Sequence, residues 1–204
     1  MKRKIFFPTL LFVFPFIISA QSTAKEWYNK GIELKGKQDY AGALAAFKNA
    51  ISKKADYSEA YYQAGWCCNE LEKYEDAAEL LKKYRPTNTN EKKNKYNQLG
   101  FSYYKLKRAT EAIIEYKNTI ELFPNDGIAL RGLGNVYYEL AEDHDSAIEY
   151  FEKAIKEDEA DSKPIYYKLG WLYNDKERYD DAIKILLKAI DYDSEDSGYR
   201  EELG

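Results

Sequence analysis

The chain has 204 residues, with 31 Lys or Arg against 35 Asp or Glu and a net charge of −4. An acidic balance with no internal basic cluster excludes the usual nucleic-acid binder, which holds phosphates through Lys and Arg. Five prolines and abundant Ala, Leu, Glu and Lys favour helix, and twenty tyrosines call for a pattern that spends aromatics repeatedly.

Residues 1–20 are a different material. Lys2, Arg3 and Lys4 head an apolar run, Ile5–Ile18, broken by Pro8 and Pro15 and closed by Ser19-Ala20 before Gln21. This three-part plan predicts a secretory signal peptide cut after Ala20, hence an exported, periplasmic or secreted protein. The alternative is an anchor that stays, but the run is shorter than the roughly 20 residues a membrane span needs. No Cys follows the cut, so lipid attachment is not indicated. Cleavage removes three basic residues, takes the net charge to −7 and leaves no stable membrane insertion.

From there a single pattern repeats. Gly31, Gly65, Gly100, Gly134, Gly170 and Gly204 stand at steps of 34, 35, 34, 36 and 34. Such a period marks a solenoid. Four residues before each Gly stands Trp27, Tyr61, Tyr96, Leu130 or Tyr166, and three after it Leu34, Cys68, Tyr103, Tyr137 or Tyr173. Twelve after it stands Ala43, Ala77, Ala112 or Ala182, with Ala147 one place later. Four beyond the alanine comes Phe47, Leu81, Tyr116, Phe151 or Leu186. Offsets −4, −1, 0 and +3 fall on one helical face. The Gly lets a second helix approach, at a cost of roughly 1 kcal/mol in helix propensity. Each copy is a helical hairpin that buries its faces only by stacking on the next, which makes the chain all-α.

The pattern resembles the tetratricopeptide repeat, W-x₂-L-G-x₂-Y then A-x₃-F then P, with the closing proline present once as Pro124. The resemblance covers residues 24–196 in five copies and implies a right-handed α-solenoid of tandem helix-turn-helix repeats over residues 21–204. The first copy, about 24–57, turns near Gly36–Asp39 and has Lys30 in place of the family's Leu, as suits an end open to water. Cys67 and Cys68, in the second copy (about 58–91), are read as small buried thiols or an intermolecular bridge; helical neighbours point about 100° apart and cannot pair without distortion. Pro86 should stop that copy's second helix near Tyr84, leaving Thr87–Asn90 as a polar turn that is either a hinge or simply a looser loop. The third copy, about 93–126, is closest to the pattern. The fourth, about 127–161, has an extra residue in its turn, where His144 is read as part of a solvated acidic turn rather than a metal site. Pro164 opens the fifth, about 163–196. Residues 197–204 start a sixth, with Leu203-Gly204 in phase; the chain is expected to be a fragment or to end on an incomplete helix.

A second stripe runs along each first helix at offsets −6, −3, +1 and +4. The resemblance implies that it lines a concave groove receiving a protein or peptide partner. The −3 place holds Tyr28, Tyr62, Asn97, Arg131 and Tyr167; +1 holds Ile32, Trp66, Phe101, Asn135 and Trp171; +4 holds Lys35, Asn69, Tyr104, Tyr138 and Asn174. Tyr, Trp, Arg and Asn give rigid area with adaptable hydrogen bonding. The partner-binding candidates are therefore Tyr28, Tyr62, Trp66, Asn69, Asn97, Phe101, Tyr104, Arg131, Asn135, Tyr138, Tyr167, Trp171 and Asn174; the competing reading packs individual aromatics against the neighbouring copy. Arg131 and Asn135 resemble half of a carboxylate clamp known in the family, but Glu202 stands where its later basic partner would be. No nucleophile–base pair, metal spacing or cofactor loop appears, and Gly132-Leu133-Gly134 lacks the third glycine of a phosphate loop. The expectation is a noncatalytic binding scaffold in a bacterial envelope, without cofactor or metal. The runner-up is a structural subunit that self-associates into a homo-oligomer through open solenoid ends.

Overall fold

The computed structural model describes residues 22–157 and 163–196; the expected signal segment and sixth copy lie outside them. Among the described residues there are ten helices and no strands, arranged as five hairpins. They are α1 (Ala24–Gly36) with α2 (Tyr40–Lys53), α3 (Ser58–Glu70) with α4 (Tyr74–Lys83), α5 (Thr89–Lys105) with α6 (Ala109–Leu122), α7 (Gly127–Glu139) with α8 (His144–Glu157), and α9 (Lys163–Asp175) with α10 (Tyr179–Asp196). The order is that of a helical solenoid.

Local chemistry sets the helix ends. Thr23 forms a reciprocal capping box with Glu26, while Asp39, Asn88 and Asp126 accept from first-turn amides. The hairpin turns share a device that residue types alone do not signal. One residue per copy is left-handed: Gln38, Glu72, Lys107, Glu142 and Glu177, with φ between 54° and 60°. In copies one, two, three and five the next amide bonds five residues back, as in Arg108 N–H to the Tyr103 carbonyl at 2.9 Å, closing a Schellman-type cap. A non-glycine residue there carries a steric cost of about 1–2 kcal/mol. Lys107→Gly should therefore raise stability by about 0.5 kcal/mol, after glycine's extra entropy is subtracted, read as a small rise in melting temperature.

Within each hairpin the large residue of the second helix lies against the glycine of the first. A Cβ at Gly65 would lie 2.7 Å from Leu81, and one at Gly170 2.6 Å from Leu186. Phe47, Leu81, Tyr116 and Phe151 are buried accordingly, and the core runs on from hairpin to hairpin. Cys67 and Cys68 are both fully buried free thiols, and burial pushes the Cys67 thiol up to about 11.

Three local expectations change. Thr89 and Asn90, placed in a turn, open α5, because Asn88 caps it and the Glu91 carboxylate accepts from the Thr87 amide at 2.7 Å. The segment read as either a hinge or a looser loop is tied down: Tyr84 is buried, Ser58 Oγ accepts from the Arg85 amide at 2.9 Å, and Lys95 Nζ donates to the Tyr84 carbonyl at 2.9 Å. His144 is the first residue of α8 rather than part of a free turn, with Nδ1 3.1 Å from Asp175 Oδ2 of the next hairpin.

Candidate functional site

The stripe expected to line the groove divides into two halves. In the first, most side chains are used inside the stack. Tyr28 stacks on Tyr57 (centroids 5.0 Å apart) and leans on Phe47, while Tyr62 meets Tyr84 at 5.1 Å. Burial raises both tyrosines' pKa values. Asn97 is 7 % exposed and donates from Nδ2 to Asp126 Oδ1 at 3.0 Å. Asn69 is 4 % exposed; its Nδ2 donates to Gln98 Oε1 at 2.8 Å and its Oδ1 accepts from Ser102 Oγ at 2.8 Å. Asn69 and Asn97 thus correct the expectation: they join neighbouring hairpins and are not presented to a partner. An asparagine meets such a buried joint as well as it meets a peptide backbone, and the sequence does not distinguish the two.

The +1 aromatics show a packing rule. Tyr40 is edge-on to Trp66 at 5.4 Å, Tyr74 to Phe101 at 6.0 Å, and His144 to Trp171 at 5.4 Å. At these three junctions the first residue of the second helix meets the +1 residue of the following hairpin. Trp66 and Phe101 are half-buried as a result, and Lys35 Nζ sits 3.8 Å from the Trp66 ring centroid while donating to Gln63 Oε1 at 2.9 Å. Burial lowers the Lys35 pKa.

The second half is more open and is built around two residues that the stripe did not contain. Glu139 Oε1 accepts from Lys168 Nζ at 2.6 Å, and Glu139 Oε2 accepts from the Tyr104 hydroxyl. Lys168 also donates to Asn135 Oδ1 at 2.7 Å and lies 5.7 Å from the Tyr138 ring centroid. Burial pushes the Glu139 carboxyl up, but hydrogen bonds from Lys168 and Tyr104 outweigh it and hold the pKa below the usual value. One network thus links α5, α7 and α9. Glu139 and Lys168 fall at offsets +5 and −2, outside the pattern searched, and only their opposite charges hint at the pairing.

Beside this network Tyr138 is edge-on to Trp171 at 5.9 Å. Trp171 is 49 % and Tyr167 51 % exposed, and Asn174 is exposed. These three border a cleft of about 500 Å³ whose other walls include Tyr179, Ile183 and Leu186. Arg131 is half-buried on α7. Tyr104, Asn135, Tyr138, Tyr167, Trp171 and Asn174 thus lie on three consecutive first helices, while Tyr28, Tyr62, Asn69 and Asn97 serve the stack.

Two family models, each describing a tetratricopeptide repeat, match the chain: one over residues 34–94 and 139–201, the other over residues 94–160. Of solved structures, MamA is 28 % identical at a TM-score of 0.72, with 82 % of this chain and 96 % of that chain covered. YrrB, described as a TPR protein with an unusual peptide-binding site, is 26 % identical at a TM-score of 0.64, covering 82 % and 85 %. Among curated proteins, anaphase-promoting complex subunit 3 of Schizosaccharomyces pombe is 26 % identical over 125 residues, or 61 % of this chain. The chain spans only 18 % of that relative's length. Repeat phase, hairpin geometry and family match agree: the chain belongs to the tetratricopeptide repeat family, whose members mediate protein–protein interaction.

Proposed function

We propose that this chain is a noncatalytic scaffold that holds an extended segment of another protein against the α5–α7–α9 part of its groove, in the envelope of a bacterial cell. The observation that carries the reading is the half-exposed pair Tyr167 and Trp171 beside the Lys168–Glu139–Tyr104 network. Exposed aromatic rings next to fixed charges are what recognition surfaces use. Apolar side chains of the partner press on Tyr167, Trp171 and Tyr138, and Asn174 bonds its backbone. The peptide-binding site recorded for YrrB supports the class of ligand. The envelope setting rests on the plan of residues 1–20.

The test is a pull-down from envelope extract of the native host, with the bait's amino terminus read by mass spectrometry. A discrete partner and a start at Gln21 are expected; a mature protein beginning at Met1 in the cytoplasm would overturn the envelope assignment. Partner affinity is then measured for Tyr167→Ala and Trp171→Ala against Tyr103→Ala, whose side chain is in the core. The first two should weaken binding about tenfold each with little change in melting, since truncating an anchor costs more than 1 kcal/mol. Tyr103→Ala should lower the melting temperature instead. Unchanged affinity in both groove variants refutes the site.

A further inference from the structure

The second hairpin departs from the others at one joint. Eight residues beyond the alanine of each second helix stands Ile51, Ile120, Ile155 or Ile190, but in the second copy the residue is Arg85. Ile51, Ile120 and Ile155 are half-buried and pack on the cores of the stack, whereas Arg85 is exposed. The backbone explains how a charge is tolerated there. Helix α4 has 10 residues where α2, α6 and α8 have 14, and it gives way at Tyr84 to extended backbone, with φ −65° and ψ 131°. Pro86 enforces the exit, so residue 85 no longer lies on the helix.

Here lies a cavity of about 400 Å³, walled by Ala55, Asp56 and Tyr61 and by Lys82, Lys83 and Arg85. Its walls are fixed. The Tyr61 hydroxyl donates to the Ala55 carbonyl at 3.0 Å. Ser58 Oγ accepts from the Arg85 amide at 2.9 Å and donates to the Arg85 carbonyl at 3.1 Å, so the residue that carries the guanidinium is held through both of its backbone groups. The other copies have Ala24, Lys93, Gly127 and Lys163 in the place of Ser58, so this tether belongs to the second copy. Charge singles out the same place. Residues 82–95 hold six cations and one acid in a chain of net −4, which locally corrects the expectation that no basic cluster is present. Elsewhere cations are answered: Arg108 pairs with Glu111, Arg178 with Asp181 and Lys93 with Asp126. Lys82, Lys83 and Arg85 form no ion pair among the described residues. The helix dipole accounts for Lys82 and Lys83 in the last turn of α4, but not for Arg85, which stands past its end.

We propose that this cradle binds an oxyanion, the carboxylate or phosphate group of an anionic ligand, with Arg85 and Lys83 as its direct partners. A guanidinium offers such a group two parallel N–H donors, and an ammonium adds a third. Cations held close together without acids of their own gain from an anion between them. Lys82 Nζ lies 5.5 Å from the Tyr103 ring, so Lys82 lends its field rather than a contact. None of these residues belongs to the groove stripe, and the proposal stands apart from the groove reading.

Residues 21–204, which contain all ten helices described, are isotope-labelled and titrated at low salt with citrate, inorganic phosphate and a hexaglutamate peptide as separate probes. The first two stand for a free anion and the third for the acidic side chains of a protein, so the tightest binder identifies the source. The Arg85 Nε–H resonance should shift saturably with at least one probe, while those of Arg108 and Arg178, already paired, stay in place. Lys83→Ala should weaken binding about tenfold, and so should Arg85→Lys, which keeps the charge but loses the fork. Both residues are exposed, so the melts should stay those of the parent. Lys25→Ala, a loss of one exposed charge on α1, should leave binding unchanged. No saturable shift with any of the three probes overturns the proposal, as do equal shifts at all three arginines. Binding by Arg85→Lys as tight as the parent's also overturns it, because the anion would then answer to charge alone and not to this cradle.

Discussion

Gly100→Ala should destabilise the protein by about 2 kcal/mol, whereas Gly36→Ala should stabilise it by about 0.5–1 kcal/mol. Both glycines are helical, and alanine is the better helix former by roughly 1 kcal/mol. Packing decides the sign. A Cβ at Gly36 meets nothing within 4 Å, so only the backbone gain remains. A Cβ at Gly100 lies 2.8 Å from Cδ1 and Cε1 of Tyr116, closer than real Cβ contacts come. The ring cannot retreat, because Gly132 of the next hairpin stands against it and a Cβ there would lie closer still. Tyr116 is 3 % exposed and is held between two first helices, so the added methyl must push hairpins apart. Overpacking of this kind costs about 1–3 kcal/mol, more than the propensity gain. Adding Tyr116→Leu to Gly100→Ala should recover part of the loss, since Gly65 and Gly170 already face leucines. Thermal or urea melts of the three variants check this; a Gly100→Ala protein as stable as the parent would refute the close approach.

The same ring shows what the sequence disclosed. The 34-residue phase of the glycines exposed the hairpins, because each Gly, Ala and large-residue set answers a contact within one copy. Gly132 stood outside that set and looked like a fragment of a phosphate loop; its contact is with a side chain of the preceding copy. Contacts between copies were generally hidden. Asn69 with Ser102, Tyr40 with Trp66, and Glu139 with Lys168 are each about one repeat apart. The stripe rule placed Tyr167 and Trp171 on the open surface, but put Asn69 and Asn97 there too, since a helical angle does not say whether the neighbouring hairpin covers it. The left-handed turn residues were hidden for another reason: Gln38, Glu72, Lys107, Glu142 and Glu177 are not types that favour positive φ.

Glu139→Ala should cost about 2 kcal/mol at neutral pH and soften the second half of the groove. The substitution removes the acceptor shared by Lys168 and the Tyr104 hydroxyl, and hydrogen bonds to a charged group are worth about 1.5–3 kcal/mol each when sheltered. Glu139 and Lys168 side chains are 36 % and 29 % exposed, so water screens the pair and the lower end of that range applies. The pH dependence separates charge from packing. Despite the upward push of burial, Lys168 and Tyr104 hold the Glu139 pKa below its ordinary value in the folded protein. A carboxyl so depressed contributes stability that is fully present above the unfolded glutamate range, near about 4.3, and is lost as pH falls through the folded value. The gap in melting temperature between parent and Glu139→Ala should therefore be full at pH 7 and shrink below about pH 4. Lys168→Met should narrow the gap at pH 7 as well, and the double variant should fall short of additivity by about 1 kcal/mol. A gap that stays constant from pH 7 to pH 3 would mean that Glu139 acts through its carbon stem alone, and the charged network would not be what orders this part of the groove.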